Sequence, residues 1–229
     1  MFFNREAGYE RKRKKLLTKA PAGALKDFLS VPFPTPNTPI NEVPILSVDF
    51  ETTGLDANKD QILSMGHILL ENNDIFLSSA YHKIVCTEGD LDEKNVAIHH
   101  IMDDIKASGD AIESAVEELL KALAGKIMLV HFEKIEKTFL QAACKQLYGI
   151  APVFPIIDTL MLAKRRMERE STLFPPSALR LFNLREQYGL PRYNAHNALS
   201  DSLATAELFF AELEAMNYKN PPPLKAVLV

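Results

Sequence analysis

The sequence predicts an α/β fold, a mixed five-stranded sheet flanked by helices. Two observations predict it. An apolar run at residues 45–50 is followed by two strand-like stretches at 61–70 and 74–85 that read as a hairpin. After residue 110 the pattern turns helical, with two further short apolar runs set between the helices.

Residues 45–50 are dominated by Ile, Leu, Val and Phe, as expected of a buried strand. Residues 61–70 and 74–85 are joined at Glu71-Asn72-Asn73, and asparagine tolerates the backbone of a tight turn. Residues 111–123 carry apolar side chains at helical spacing, residues 126–130 read as a buried strand, and residues 133–148 read as a helix. A fifth strand is expected near 154–157, with helices over 159–169, 177–188 and 198–216. A three-stranded meander followed by alternating helices and strands implies a mixed sheet with helices packed on it.

Three segments are expected: an N-terminal extension at 1–42, a main domain at 43–216 and a short tail at 217–229. The extension holds the basic run from Glu10 to Lys15, a helical stretch around Ala24, and then Pro32, Pro34, Pro36 and Pro39, which reads as a stiff linker. The basic run is either a nucleic-acid contact or a solvated helix face. The chain has 229 residues, 47% of them hydrophobic and 24% charged, with a formal net charge of −4. That balance argues against a protein that coats DNA through a general positive field. No apolar run approaches the roughly 20 residues that span a bilayer, and Met1 to Lys15 lacks the character of a secretory leader, so a cytoplasmic protein with no membrane partner is expected. Cys86 and Cys144 lie in unrelated contexts without CxxC spacing, which suggests neither a disulfide framework nor a zinc site.

Acidic residues in apolar settings carry the functional reading. Asp49 and Glu51 are two apart in a strand and leave the same face, a costly pairing of like charges unless a cation lies between them. A solvated strand end is the bland alternative. Thr52, Thr53 and Gly54 follow, ending the strand in a turn where backbone can approach a ligand. In the helix from residue 133, Glu136 heads an apolar stripe continued by Leu140, Ala143 and Leu147, while Glu133 falls on the wetter side. An acid in a first helical turn is also favoured by the helix dipole alone. In the last helix Asp201 begins a stripe continued by Ala204, Leu208 and Ala211, and His196 precedes it by five residues. A buried acid beside a histidine is also compatible with a simple hydrogen-bonded pair.

Taken in order, Val48-Asp49-Phe50-Glu51-Thr52-Thr53-Gly54-Leu55, the stretch from Val130 to Leu140, Ile157-Asp158-Thr159-Leu160 and the run from His196 to Asp201 resemble the motifs of the DEDDh exonucleases. This is the superfamily of the proofreading epsilon subunit of DNA polymerase III, ribonuclease T and oligoribonuclease. The resemblance covers about residues 43–215. It implies a ribonuclease H-like fold and two divalent cations, Mg²⁺ or Mn²⁺, held by Asp49, Glu51, Glu136 and Asp201. It also implies that His196 is the general base, and that Thr52, Thr53, Leu55 and His99 contact the substrate. Two positions depart from the pattern: Phe132 and Glu136 stand where the family usually has Asn and Asp. Glutamate is one methylene longer and reaches a cation at a different carboxylate angle. Asp158 belongs to a family motif, yet its place before a helix favours an N-cap.

All-oxygen ligands suit hard cations rather than zinc. The expected activity is 3′-to-5′ hydrolysis of single-stranded DNA with release of nucleoside 5′-monophosphates. The expected partners are single-stranded DNA or RNA 3′ ends and a DNA polymerase or repair complex. An exonuclease of RNA or short oligoribonucleotides is the first alternative, and a nucleic-acid-binding module without activity, suggested by Phe132 and Glu136, is the second. Phe50 and Phe132 are candidates for stacking on a base, with core packing as the default.

Overall fold

The computed structural model describes residues 6–87, 109–171 and 173–229. Its sheet is built from β1 (Ile45–Thr52), β2 (Ile62–Glu71), β3 (Asp74–Ile84), β4 (Ile127–Val130) and β5 (Ile156–Asp158), in the order β3-β2-β1-β4-β5. β1 to β3 pair antiparallel, while β4 runs parallel to both β1 and β5. This is the mixed five-stranded sheet the sequence predicts. Asn72 and Asn73 turn the hairpin with positive φ of 53° and 65°, a conformation asparagine adopts at little cost.

The pleat sorts β1 between two layers. Leu46, Val48 and Phe50 enter one core with α2 (Ala24–Ser30), α3 (Ile112–Leu123) and α4 (Lys134–Tyr148). Ile45 enters a second core with α5 (Thr159–Arg169) and α7 (Ala198–Ala215). On that second face the Ser47 hydroxyl donates to the Ser202 carbonyl of α7 at 2.7 Å. A third cluster joins α5 and α7 to α6 (Leu181–Gln187).

Gly66 explains why α7 sits so close to the sheet. It pairs with Asp49 in the β1–β2 register, and a Cβ built on it would lie 2.2 Å from the Ala198 carbonyl carbon and 2.3 Å from the Leu199 nitrogen. Backbone therefore rests on backbone, a contact open only to glycine.

Residues 177–188, expected as one helix, instead form a short 3-10 turn at Pro176–Leu179 and then α6. Arg180 between them is extended, with ψ of 143°. The break leaves the Leu179 carbonyl oxygen 3.0 Å from His131 Nε2, whereas a continuous helix would commit that oxygen to an N–H four residues on.

The N-terminal segment joins the core. In α1 (Glu6–Leu17) Arg11, Lys12, Lys14 and Lys15 face solvent, whereas Arg13 turns inward to Glu10 and the Leu29 carbonyl. Leu25, Phe28 and Leu29 of α2 are at most 1% exposed. Tyr9 and Glu10 line a pocket with Pro155 and Leu228, so α1 lies near the start of β5. At the other terminus Leu224 and Val227 are buried, Leu228 makes an antiparallel bridge to Ile157, and Val229 N–H donates to the Ile156 carbonyl. Among the described residues no helix is long and apolar enough to cross a membrane.

Gly66→Ala is expected to push the start of α7 off the sheet and to cost about 1–3 kcal/mol, the usual scale of overpacking. Urea unfolding reads this as a lower midpoint. An unchanged midpoint would show that α7 is not seated through this contact.

Candidate active site

β1, α4 and α7 each deliver acid to the same end of the sheet. Asp49 and Glu51 project from the face of β1 that α7 covers, Asp49 partly exposed and Glu51 5% exposed. Asp201 lies in the first turn of α7 and is 8% exposed. Glu136 lies in the first turn of α4 and is 3% exposed. The backbone N–H groups of Phe50 and of Glu136 itself lie near enough to its carboxylate to favour the charged form.

The electrostatics register this convergence. Burial holds the Asp49 carboxyl well above the usual carboxylate range, and the charges of Glu136, Glu51 and Asp201 add to the effect. Burial likewise raises Glu136, with the two N–H groups pulling the other way. Asp201 is pushed up to about 7 by burial, partly offset by the His196 N–H, with the charge of Glu51 adding to the rise. Glu136 Oε2 and Asp201 Oδ1 are buried without a hydrogen-bond partner. Buried carboxylate oxygens left this way are costly unless a proton or a cation meets them.

His196 is exposed beside the acids, with φ of 66° and its N–H donating to Asp201 Oδ2 at 3.0 Å. One donor atom from each of Glu51, His196 and Asp201 lies within 4.8 Å of the others, a spacing that can hold a cation. Asn197 caps α7 by accepting from Ser200 N–H, which fixes the helix start just after His196.

The turn after β1 is shaped by its own hydroxyls. Thr52 Oγ1 donates to the Gly54 carbonyl at 2.7 Å, and Thr53 Oγ1 accepts from Gln61 N–H at 3.0 Å. Leu55 projects outward, 72% exposed. His99 lies outside the described residues. Of the two aromatic candidates, Phe50 is 5% exposed in the core behind the acids and Phe132 is 41% exposed.

Asp158 is a cap, as its position suggests, and more. It accepts from Leu160 and Met161 at the start of α5, and also from Phe132 and Glu133 at the start of α4. One carboxylate thus fixes the starts of two helices, the second role invisible to local sequence. Arg185, 1% exposed, was also not singled out by the sequence. It donates to the carbonyls of Ala204 and Pro191 and to Glu207. Its guanidinium lies 4.8 Å from the centre of the Tyr193 ring, and Tyr193 donates to Glu207. These contacts brace the stretch that leads to His196. No helical or strand period marks an arginine as buried.

Residues 46–209 match the RNase T family model, described as an exonuclease. The chain belongs to the DEDDh exonucleases. Over 169 residues it is 30% identical to a PolC-type DNA polymerase III of Thermotoga maritima, covering 74% of this chain and only 12% of that relative. It is 25% identical to the DNA polymerase III epsilon subunit of Aquifex aeolicus over 75% of this chain and 81% of that one. Its fold superposes with a TM-score of 0.64 on the nuclease domain of 3′hExo, a DEDDh family member bound to rAMP, at 17% identity over 80% of this chain and 97% of that one. The five-stranded mixed sheet with flanking helices is therefore the ribonuclease H-like arrangement of this exonuclease family.

His131 anchors the second motif, with Nδ1 2.8 Å from Thr159 Oγ1 and Nε2 near the Leu179 carbonyl. Burial lowers its pKa to about 4, opposed by the bond to Leu179. The unfolded chain takes up that proton near pH 6.5, so the native state loses this stabilisation as pH falls towards 4. Wild type is expected to lose roughly 2–3 kcal/mol relative to His131→Gln between about pH 7 and 4.5. Urea unfolding at the two pH values checks this, and a pH-independent gap would refute it.

Proposed function

We propose that this protein is a metal-dependent 3′-to-5′ exonuclease of single-stranded DNA, with Asp49, Glu51, Glu136 and Asp201 holding two divalent cations, Mg²⁺ or Mn²⁺. The observation that carries the reading is the convergence of four acids from three elements, with Glu136 Oε2 and Asp201 Oδ1 buried and unpartnered. An all-carboxylate donor set fits hard cations that prefer oxygen. When bound, such cations lower the pKa of water and neutralise charge on the leaving oxygen.

The protein's own side chains do the rest. His196, exposed beside Asp201 and Glu51, is placed to take the proton from the attacking water. Its backbone bond to Asp201 keeps base and acid in fixed relation. Thr52, Thr53 and Leu55 present hydroxyl, backbone and apolar contacts to the terminal nucleotide, and His99 adds a further substrate contact. The products are nucleoside 5′-monophosphates. The preference for DNA, and for service beside a polymerase or in repair, rests on the likeness to the epsilon and PolC-type proteins. The 3′hExo domain is bound to rAMP, which favours RNA 3′ ends as the second reading.

A time course on 5′-labelled single strands of DNA and of RNA, with Mg²⁺ or Mn²⁺, tests the proposal. Stepwise shortening from the 3′ end, faster on DNA and abolished by EDTA, is expected. Asp201→Asn is expected to slow it by on the order of 10²- to 10³-fold, the scale of losing one preorganised charged group. Strands bound but left intact would instead support a binding module without activity, and faster digestion of RNA would overturn the DNA preference. Mn²⁺ is also expected to raise the melting temperature of the wild type and to lose most of that effect in Glu51→Gln.

A further inference from the structure

Phe132 is held in a conformation that the acid cluster alone does not require. Its φ is +80°, in the left-handed region that a bulky side chain enters only at a cost. Its ring is also 41% exposed, so core packing does not account for it. Strain and exposed apolar surface at one residue point to a use.

The backbone around it is fixed. Phe132 N–H and Glu133 N–H donate to the two oxygens of Asp158 at 3.0 and 2.9 Å, which locks the turn from β4 into α4. Any residue at position 132 inherits that turn, and asparagine would sit in it with less strain than phenylalanine. Position gives the exposed ring its meaning. β1 and β4 are parallel, and Phe132 lies just past the carboxyl end of β4, in the turn into α4, whose first turn carries Glu136. Leu55 is exposed in the turn that follows β1, at the same end. Two exposed apolar side chains thus lie in the turns that follow β1 and β4, at the end of the sheet where Asp49, Glu51 and Glu136 lie.

We propose that Phe132 is a stacking platform for a base of the bound strand, a substrate-binding contact for single-stranded nucleic acid. The inference rests on the exonuclease reading and adds a residue to it. Every base presents a flat face to an aromatic ring, so the contact adds affinity without selecting sequence. The locked turn fixes the backbone that carries the ring before substrate arrives, which reduces the ordering cost of binding. A base held here would steady the strand while its terminal phosphodiester lies at the acids.

The test separates this contact from the chemistry. In the full-length Asp201→Asn protein, which slows cutting, a short oligonucleotide carrying 2-aminopurine near its 3′ end is titrated and its fluorescence followed. Adding Phe132→Ala is expected to remove the stacking quench and to raise Kd about tenfold, the scale of one lost base–aromatic stack. Phe132→Tyr should keep both. Phe132→Asn is the decisive variant: it should melt at a higher temperature than the parent, because strain is relieved, and yet bind as weakly as Phe132→Ala. In the active protein the loss should fall on KM and should vanish on strands that are abasic at the stacked position. Unchanged quench and Kd in Phe132→Ala would overturn the proposal, as would an equal loss of binding on abasic strands. A protein that shows the quench but cuts no strand would sink the exonuclease reading and leave Phe132 as a base-binding residue. A protein that cuts with Phe132→Ala unaffected would do the reverse.

Discussion

The crowding of carboxylates into a poorly solvated end of the sheet is the constraint around which this molecule is arranged. Asp49, Glu51, Glu136 and Asp201 are drawn to one end of the sheet, and burial together with their shared charge lifts Asp49 far from its usual ionisation. Left alone, such a group would push its members apart or hold protons. The scaffold must supply enough rigidity to keep them together. Its sources can be named: an antiparallel pair that fixes the pleat of β1, a glycine that seats α7 on the sheet, and the Asp158 carboxylate that holds the start of α4.

The supports are themselves polar and buried. Asp158 is 1% exposed and organises the starts of both α4 and α5. Arg185 performs a comparable task beneath α7, where carbonyls, Glu207 and the Tyr193 ring occupy its guanidinium. Each charge has backbone groups or an opposite charge as partners, with only Arg185 Nε of that guanidinium left without one, and such pairing is what makes burial tolerable. Glu136 Oε2 and Asp201 Oδ1, by contrast, are buried without such a partner, as are both oxygens of Glu212 further along α7.

Local patterning revealed what depends on neighbours in sequence. The same-face placement of Asp49 and Glu51 follows from the strand period, and the inward direction of Glu136 and Asp201 from apolar stripes on their helices. The fold class was legible because each strand and helix is strongly periodic or bounded by turn residues. In α7 Ser202, Ala204, Thr205, Ala206, Leu208 and Phe209 are fully buried while Leu203 and Phe210 are only partly so, an outcome that only the sheet beneath decides. The break at Arg180 was hidden for a similar reason, since it answers to His131 far away in sequence. The reach of Asp158 to Phe132 and Glu133 and the burial of Arg185 are likewise long-range. Gly66 did carry a local sign, as a lone glycine within a strand, but its partner lies in the last helix.

The bridge from Leu228 to Ile157 alters how this sheet meets other molecules. An unpaired strand offers a row of backbone donors and acceptors to any extended peptide, and is a common starting point for aggregation. Here the C-terminal residues occupy part of the β5 margin, which leaves β3 as the more open border of the described sheet. That border is interrupted in register between His67 and Leu69 of its neighbour and carries a lysine at position 83. Kinks and charges of this kind discourage a foreign strand from extending the sheet. The molecule is thus protected at both flanks, by coverage on one and by irregularity on the other.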